Sequence, residues 1–398
     1  MRCLWITRQD PRPSNSGELI YTRGLLRALS AHPGFKVTVL AHRAVGTPDE
    51  PPDPKLRWEL HGWIPNGRLG GLVSMLPSDA WRLGNFTMRD SLETLSEEGH
   101  WDWVIIDQAA CGWVLKHLPQ PGRPRVAYIA HNHEASVRKQ VASERGGSLP
   151  FRMALAWDAW KYGKLERAIC ERADLISAIT PRDEALFKQE FPGKRTLRLP
   201  PGYNGPAVES PPPITKNSPR RVVLAGAFEW LAKRRNLELF LAAADAPFRH
   251  HNIRFVVAGK ADTDYFAGLD RRYPWAEFHA NVPSMDPYLA NARIGLIPEA
   301  LGGGFKLKAL DYIFRGLPVA ALEQALSGLP VNPAQDVITA RQPAELAEAV
   351  AARIDDLEFL NAAASRALFA CRASFQWSDR GSVLAAALED ISTSPPRP

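Results

Sequence analysis

GGGFKLKALDYIFRGLPVAA, residues 302–321, sets three glycines, a phenylalanine and two lysines ahead of a helical pattern. Leu307, Leu310, Ile313 and Phe314 form the apolar stripe of that helix, and Gly-Leu-Pro with an apolar strand follows it. A glycine run at a helix start presents backbone N–H groups to an incoming anion, and the helix dipole favours negative charge there. Lys306 and Lys308 add full positive charge beside those amides. Asp311, about one turn on, offers an acceptor for sugar hydroxyls. Amides, lysines and a hydroxyl acceptor together describe a pocket for a nucleotide diphosphate-sugar.

The same alternation of strand and helix extends outward from this segment. RVVLAGAF, a helix from about Arg234, IRFVVAG, a helix near Asp264, and ARIGLIP precede it. In VVLAGAFEWLAKRRNLELFL, starting at Val222, the strand ends at Gly226, and Lys233-Arg234-Arg235 open the next helix. Basic residues in a first turn oppose the helix dipole, and that mismatch points to an anion as their partner. Lys233 is the first choice for this contact and Arg234 the second.

Between residues 199 and 219 the chain reads LPPGYNGPAVESPPPITKNSP, with seven prolines and two glycines. Such a window sustains neither a helix nor a central strand, so it predicts an interdomain linker over residues 200–219. Ahead of it, RCLWITR, KVTVLA, WDWVIID, RVAYIA and ADLISAIT read as buried strands. Helices are expected over residues 17–31, from about Pro150 to Arg172, and over residues 181–190. Short apolar strands alternating with helices imply parallel sheets covered on both faces. The expected fold class is therefore α/β, with two Rossmann-like doubly wound domains and a cleft between them. The domains fall at 1–199 and 220–375, and residues 376–398 supply a C-terminal helix packing back toward the first domain.

Composition narrows the class of protein. At 398 residues, with 45% hydrophobic and 23% charged residues, the chain has the size and make-up of a two-domain globular protein. No apolar run approaches the roughly 20 residues needed to cross a bilayer, and MRCLWITRQDPRPS lacks the pattern of a signal peptide. Cys3, Cys111, Cys170 and Cys371 are isolated, as reduced thiols of a cytoplasmic protein are. The formal surplus of +6 lies wholly in residues 1–200, where 28 Lys+Arg face 22 Asp+Glu; residues 201–398 carry 21 of each. That asymmetry suggests an acidic partner such as a membrane surface or a lipid phosphate. RLGGLVSMLPSDAWRLG, starting at Arg68, and PFRMALAWDAWKYGK, starting at Pro150, mix apolar bulk with basic residues. Helix packing inside the domain is the simpler account of both, and a membrane interface the other. No basic-aromatic cluster points to nucleic acid.

With these motifs in hand, the chain resembles the GT-B glycosyltransferases, most closely family 4. Residues 302–318 are similar to that family's donor-site signature in its Lys-x-Lys variant. Anchored on Gly316-Leu317-Pro318, Asp311 stands where the second glutamate, the ribose ligand, is expected, and Gly303 where the first is expected. The resemblance implies donor contacts from Gly226, Lys233, Arg234, Gly303, Gly304, Phe305, Lys306, Lys308 and Asp311. Gly17, in the loop after the first strand, matches the position that lies near the donor phosphate. His131-Asn132 with Glu134 is similar to the family's His-Asn-x-Glu stretch. It implies a catalytic role for His131, at the donor sugar or leaving group, and for Glu134, as a base if the reaction inverts.

The expected reaction is sugar transfer from a nucleotide diphosphate-sugar, UDP-sugars first, to a membrane-borne or glycan acceptor in exopolysaccharide or cell-surface glycan assembly. Retention ranks ahead of inversion. Lysines and helix N-termini would neutralise the diphosphate, so neither a metal nor a cofactor is expected, and the nucleotide-sugar is a co-substrate. The expected location is cytoplasmic, peripheral at the inner face of the plasma membrane. A sugar-nucleotide epimerase of the same fold and a catalytically silent partner subunit are the alternatives.

Overall fold

The computed structural model describes residues 1–14, 16–43, 53–119, 124–144, 147–229, 231–300 and 304–393. The chain divides into two compact units, Met1–Gly202 with Gln376–Pro398, and Tyr203–Phe375.

The first unit is built on a parallel sheet of β1 (Arg2–Gln9), β2 (Lys36–His42), β3 (Leu56–His61), β4 (Trp103–Asp107), β5 (Arg125–Ala130), β6 (Leu175–Ala178) and β7 (Arg195–Arg198). Their spatial order is β3-β2-β1-β4-β5-β6-β7. Cys3 to Ile6 in β1, and every residue of β4 and β5, are buried, as expected of strands covered on both faces. The helices are α1 (Gly17–Ala31), α2 (Arg68–Val73), α3 (Ser78–Leu83), α4 (Phe86–Glu97), α5 (Glu134–Glu144), α6 (Leu149–Arg172) and α7 (Pro181–Glu190), with a 3-10 segment over Ala109–His117.

The second unit carries β8 (Arg221–Ala227), α8 (Leu231–His250), β9 (Arg254–Lys260), α9 (Thr263–Arg272), β10 (Ala276–Ala280), α10 (Asp286–Ala290), β11 (Ile294–Ile297), α11 (Leu307–Phe314), β12 (Val319–Leu322), β13 (Ile338–Ala340), α12 (Pro343–Arg353) and α13 (Leu357–Arg372). Its sheet is also parallel, ordered β10-β9-β8-β11-β12-β13. The proline-rich stretch forms neither helix nor strand from residue 203 to residue 220 and runs along this unit. There Val208 N donates to Phe314 O at 2.8 Å, and Ile214 N to Asn361 Oδ1 at 2.8 Å.

The last helix, α14 (Trp377–Thr393), returns to the first unit and packs on α1. Two glycines make that approach possible. A Cβ on Gly24 would lie 2.4 Å from the Trp377 ring, and one on Gly381 would lie 2.4 Å from Ala28 O. Trp103 Nε1 donates to Ser392 Oγ at 3.0 Å, fixing the far end of α14.

Both sheets reverse strand order next to their first strand, between β1 and β4 in one unit and between β8 and β11 in the other. In open α/β sheets the crevice beyond the carboxyl ends at such a reversal is where ligands bind. Residues following β8 and β11, and residues following β1 and β4, are therefore the ones to inspect. No helix among the described residues is long and apolar enough to cross a membrane.

Candidate functional site

In the second unit, β11 runs directly into Pro298-Glu299, and Glu299 is buried. Lys308, in the first turn of α11, reaches it with Nζ 2.5 Å from Glu299 Oε1, and both side chains are largely withdrawn from solvent. Lys233, from the first turn of α8, lines the same small pocket together with Asn236, Glu299 and Lys308. Lys306 occupies the N-cap position of α11.

The electrostatics follow from this crowding. Burial pushes the Lys233 ammonium down to about 8, and the positive charges of Lys308 and Lys306 push the same way against the pull of Glu299. Burial alone would raise the Glu299 carboxyl, but Lys308 and Lys306 outweigh it and hold the group below its ordinary value. Lys233 and Lys308 thus share one carboxylate in the pocket, with the charge of Lys306 acting on both, and this local positive surplus is one that a bound anion would relieve. Among the described residues, Glu299 Oε2 is buried without a hydrogen-bond donor. A buried carboxylate oxygen in that state is suited to accept from a ligand hydroxyl.

The remaining residues singled out by sequence fall around this pocket or apart from it. Gly226 pairs with Gly259 one step before the end of the β8–β9 ladder, and a Cβ on Gly259 would lie 1.9 Å from Gly226 O, so position 259 admits only bare backbone. Arg234 is committed to its own loop, donating from Nε to Phe228 O at 2.7 Å and lying 4.4 Å above the Tyr265 ring. Lys233 is therefore the basic side chain of that turn that meets Glu299. Gly304 adopts a left-handed φ of 73°, and Phe305 packs on Phe375 with ring centroids 5.6 Å apart. Gly303 lies outside the described residues. Asp311 Oδ1 accepts from Tyr203 Oη at 2.8 Å and from Arg315 Nε at 3.0 Å. It stands on α11 as a partly engaged acceptor, separate from the lysine cluster. Asp262-Thr263-Asp264 is an Asp-x-Asp sequence, and Asp262 caps α9 by accepting from Tyr265 N at 2.9 Å. Among the described residues no cluster of His, Cys, Asp or Glu is arranged to hold a metal.

In the first unit, His131 follows β5 and directs Nε2 to Asp107 Oδ1 at 2.7 Å. Asp107 ends β4 with no solvent exposure, and its Oδ2 accepts from Thr22 Oγ1 at 2.7 Å and from Trp5 Nε1 at 3.0 Å. Tyr21 meets the imidazole edge-on with centroids 5.0 Å apart. Burial disfavours the imidazolium, but the Asp107 carboxylate outweighs it and raises His131 above the ordinary histidine value. Glu134 opens α5, where its Oε2 accepts from Arg138 Nε at 2.9 Å and its backbone N donates to Glu166 Oε1 at 3.0 Å. Glu166 also accepts from Ala135 N at 2.7 Å and Tyr128 Oη at 2.9 Å, and burial lifts its carboxyl from 4.5 to about 8. Gly17 is the first residue of α1, whose N-cap Ser16 accepts from Leu19 N at 3.5 Å.

Glu299 and Asp107 are the two residues that sequence reading passed over. Each is an acidic residue at or just past the carboxyl end of an apolar parallel strand, Asp107 closing WVIID and Glu299 following IGLIP. That placement was the available signal.

The family described as glycosyl transferases group 1 matches residues 219–356, within the second unit. No curated protein matches the chain by sequence. Among solved structures, sucrose-phosphate synthase from Thermosynechococcus elongatus superposes with a TM-score of 0.72 at 19% identity, covering 98% of this chain and 99% of its own. The E. coli trehalose-6-phosphate structure bound with UDP-2-fluoro glucose gives a TM-score of 0.64 at 14% identity, covering 100% of both chains. Anabaena Alr3699/HepE in complex with UDP and glucose gives 0.60 at 15% identity, covering 98% of this chain and 99% of that one. The second unit thus matches the glycosyl transferases group 1 over residues 219–356, and the chain shares its two-unit parallel α/β fold, the GT-B fold, with these proteins over nearly its whole length.

Proposed function

We propose that the protein transfers a sugar from a UDP-sugar to a membrane-borne or glycan acceptor, of the kind used in cell-surface polysaccharide assembly. The observation that carries the donor assignment is the excess of lysine over carboxylate at the end of β11, where Lys233 is held near 8 first by burial and then by the neighbouring charges of Lys308 and Lys306. A diphosphate supplies the missing negative charge, and the same lysines stabilise it as the leaving group when the glycosidic bond breaks. Glu299 Oε2 would accept a hydroxyl of the donor sugar, and Asp311 a hydroxyl of the ribose. The complexes of the E. coli and Anabaena proteins with UDP compounds support the choice of nucleotide.

His131 would serve the reacting sugar through Nδ1, because Nε2 is committed to Asp107. Asp107 would act as a positioning residue, holding the ring orientation and stabilising its protonated form. Retention is the stereochemical course we assign, since Glu134 is tied to Arg138 rather than free to activate an acceptor.

Release of UDP from a panel of UDP-sugars, followed with and without acceptor extracts, tests this reading. Turnover of a UDP-sugar that drops about 100-fold or more in Glu299→Gln is expected, the order found for removal of one preorganised polar contact. Equal turnover in Glu299→Gln would remove Glu299 from the donor site. Release of nothing from any UDP-sugar would overturn the nucleotide assignment.

A further inference from the structure

The first unit holds an apolar face turned outward. On α6, Leu149, Met153, Trp157 and Trp160 fall at spacings of four, four and three, which is one side of a helix. A helix in a globular domain normally buries such a stripe. Here all four are exposed, Leu149 by 67% and Met153 by 64%. On α2, Leu69, Leu72 and Val73 share a face in the same way, with Leu69 exposed by 80% and Val73 by 85%.

Specific bonds join the two elements into one surface. Trp157 Nε1 donates to Leu72 O at 3.3 Å, and Lys161 Nζ to Gly71 O at 2.7 Å. Asp158 accepts from Ser78 N at 2.8 Å and ties the start of α3 to α6. Trp157 and Trp160 stack at 4.7 Å, and Lys164 Nζ lies 4.3 Å above the Trp160 ring. A continuous exposed apolar face of this kind marks an interaction surface.

Charge decides between occupants. Arg68, Arg152 and Lys164 border the face, and among the described residues none of them has an ion-pair partner. The acidic residues nearby are already used: Asp158 by Ser78 and Lys161, Asp79 by Tyr162 and Arg138. A two-fold contact with a second copy would set this basic border against itself. An anionic bilayer complements it, and tryptophan with lysine or arginine is the side-chain set that settles at a membrane–water interface.

We propose that the outward face of α2 and α6 docks the protein on an anionic lipid bilayer, with the leucine, valine and methionine side chains in the acyl boundary and Arg68, Arg152 and Lys164 on lipid phosphates. The surface is read from the first unit alone and stands whether or not the donor assignment does. Tyr162, the residue after Lys161, bonds Asp79, which pairs through Arg138 with Glu134. The docking face therefore adjoins the part of this unit that carries His131 and Glu134.

Co-sedimentation of the full chain with phosphatidylcholine vesicles, with and without about 30 mol % phosphatidylglycerol, tests the proposal. The wild type is expected on the anionic vesicles, released by salt and largely absent from neutral ones. A Leu69→Asp/Val73→Asp/Met153→Glu variant should lose about tenfold or more in partitioning, while keeping its melting temperature and its affinity for UDP. Arg68→Glu/Lys164→Glu should erase the preference for anionic lipid. Absence of the wild type from anionic vesicles, or equal binding by the apolar variant, overturns the proposal. So does a wild-type dimer that the variant dissolves without any vesicle binding, which would give the face to a second copy.

Discussion

Lys308 and Glu299 make an ion pair in which neither partner can turn to water for compensation. Removing one side of a buried pair costs more than the pair contributes, because the other charge stays behind. Lys308→Met should therefore destabilise the protein by about 3–5 kcal/mol in chemical denaturation, moderated if Lys233 moves onto the carboxylate. Adding Glu299→Gln to that variant should restore a large part of the loss. A Lys308→Met protein as stable as wild type would mean that Glu299 is not held as a buried carboxylate. The lysines of this cluster were legible in the sequence, because a glycine run and Lys-x-Lys at a helix start imply an anion. Glu299 was not. Motif alignment points to position 303, which lies outside the described residues, whereas Glu299 is marked by burial just past β11 and by its ion pair to Lys308, and contact across nine residues cannot be read from spacing.

At the scale of elements, the α1–α14 contact depends on the absence of side chains at Gly24 and Gly381. Gly381→Ala would place a methyl group 2.4 Å from a backbone oxygen, so α14 must shift to accept it. The expected loss is about 1–3 kcal/mol, visible as a lower melting temperature, despite the better helix propensity of alanine. A stabilised Gly381→Ala protein would show that α14 does not pack on α1 as described. The strands legible in the sequence were the central ones. The four that escaped notice, β3, β7, β10 and β13, are the four edges of the two sheets. Their burial patterns explain the omission, since RTLR in β7 has no fully buried residue and LRWELH in β3 has one. Edge strands lose the continuous apolar run that identifies a strand covered on both faces. For the Trp-bearing segments near Arg68 and Pro150, internal helix packing is the simpler expectation from sequence. They do form α2, α3 and α6, but the stripe along α6 points outward. Periodicity reveals that a stripe exists and not which way it faces.

Across the whole molecule, chemistry is divided between the units: an anion-seeking cluster in the second, and a carboxylate-supported histidine with an exposed apolar-basic face in the first. The surplus of +6 in the first half has a local expression in the border of that face, while the second half, neutral overall, concentrates its lysines at one strand end. Net charge alone draws attention to the first half and away from the lysine cluster of the second. Fold class and domain order were legible because alternation of strand and helix is a property of the entire chain. The nucleotide, by contrast, rests on Lys233 and Lys308 crowded around one buried carboxylate.

Calorimetric titration of UDP into the full chain, wild type and Lys233→Met, across alkaline pH is the most direct test. Lys233 is charged below its value of about 8 and neutral above it, and a diphosphate binds the charged form. Wild-type affinity should therefore fall roughly tenfold between about pH 7.5 and 9, where the diphosphate is fully ionised, and the Lys233→Met profile controls for the uracil N–H, which begins to ionise near the top of that range. Lys233→Met should bind weakly at both ends with a flat profile. Absence of UDP binding at millimolar concentration, or a wild-type profile no steeper than that of Lys233→Met, would contradict the assignment of the lysine cluster as the donor diphosphate site.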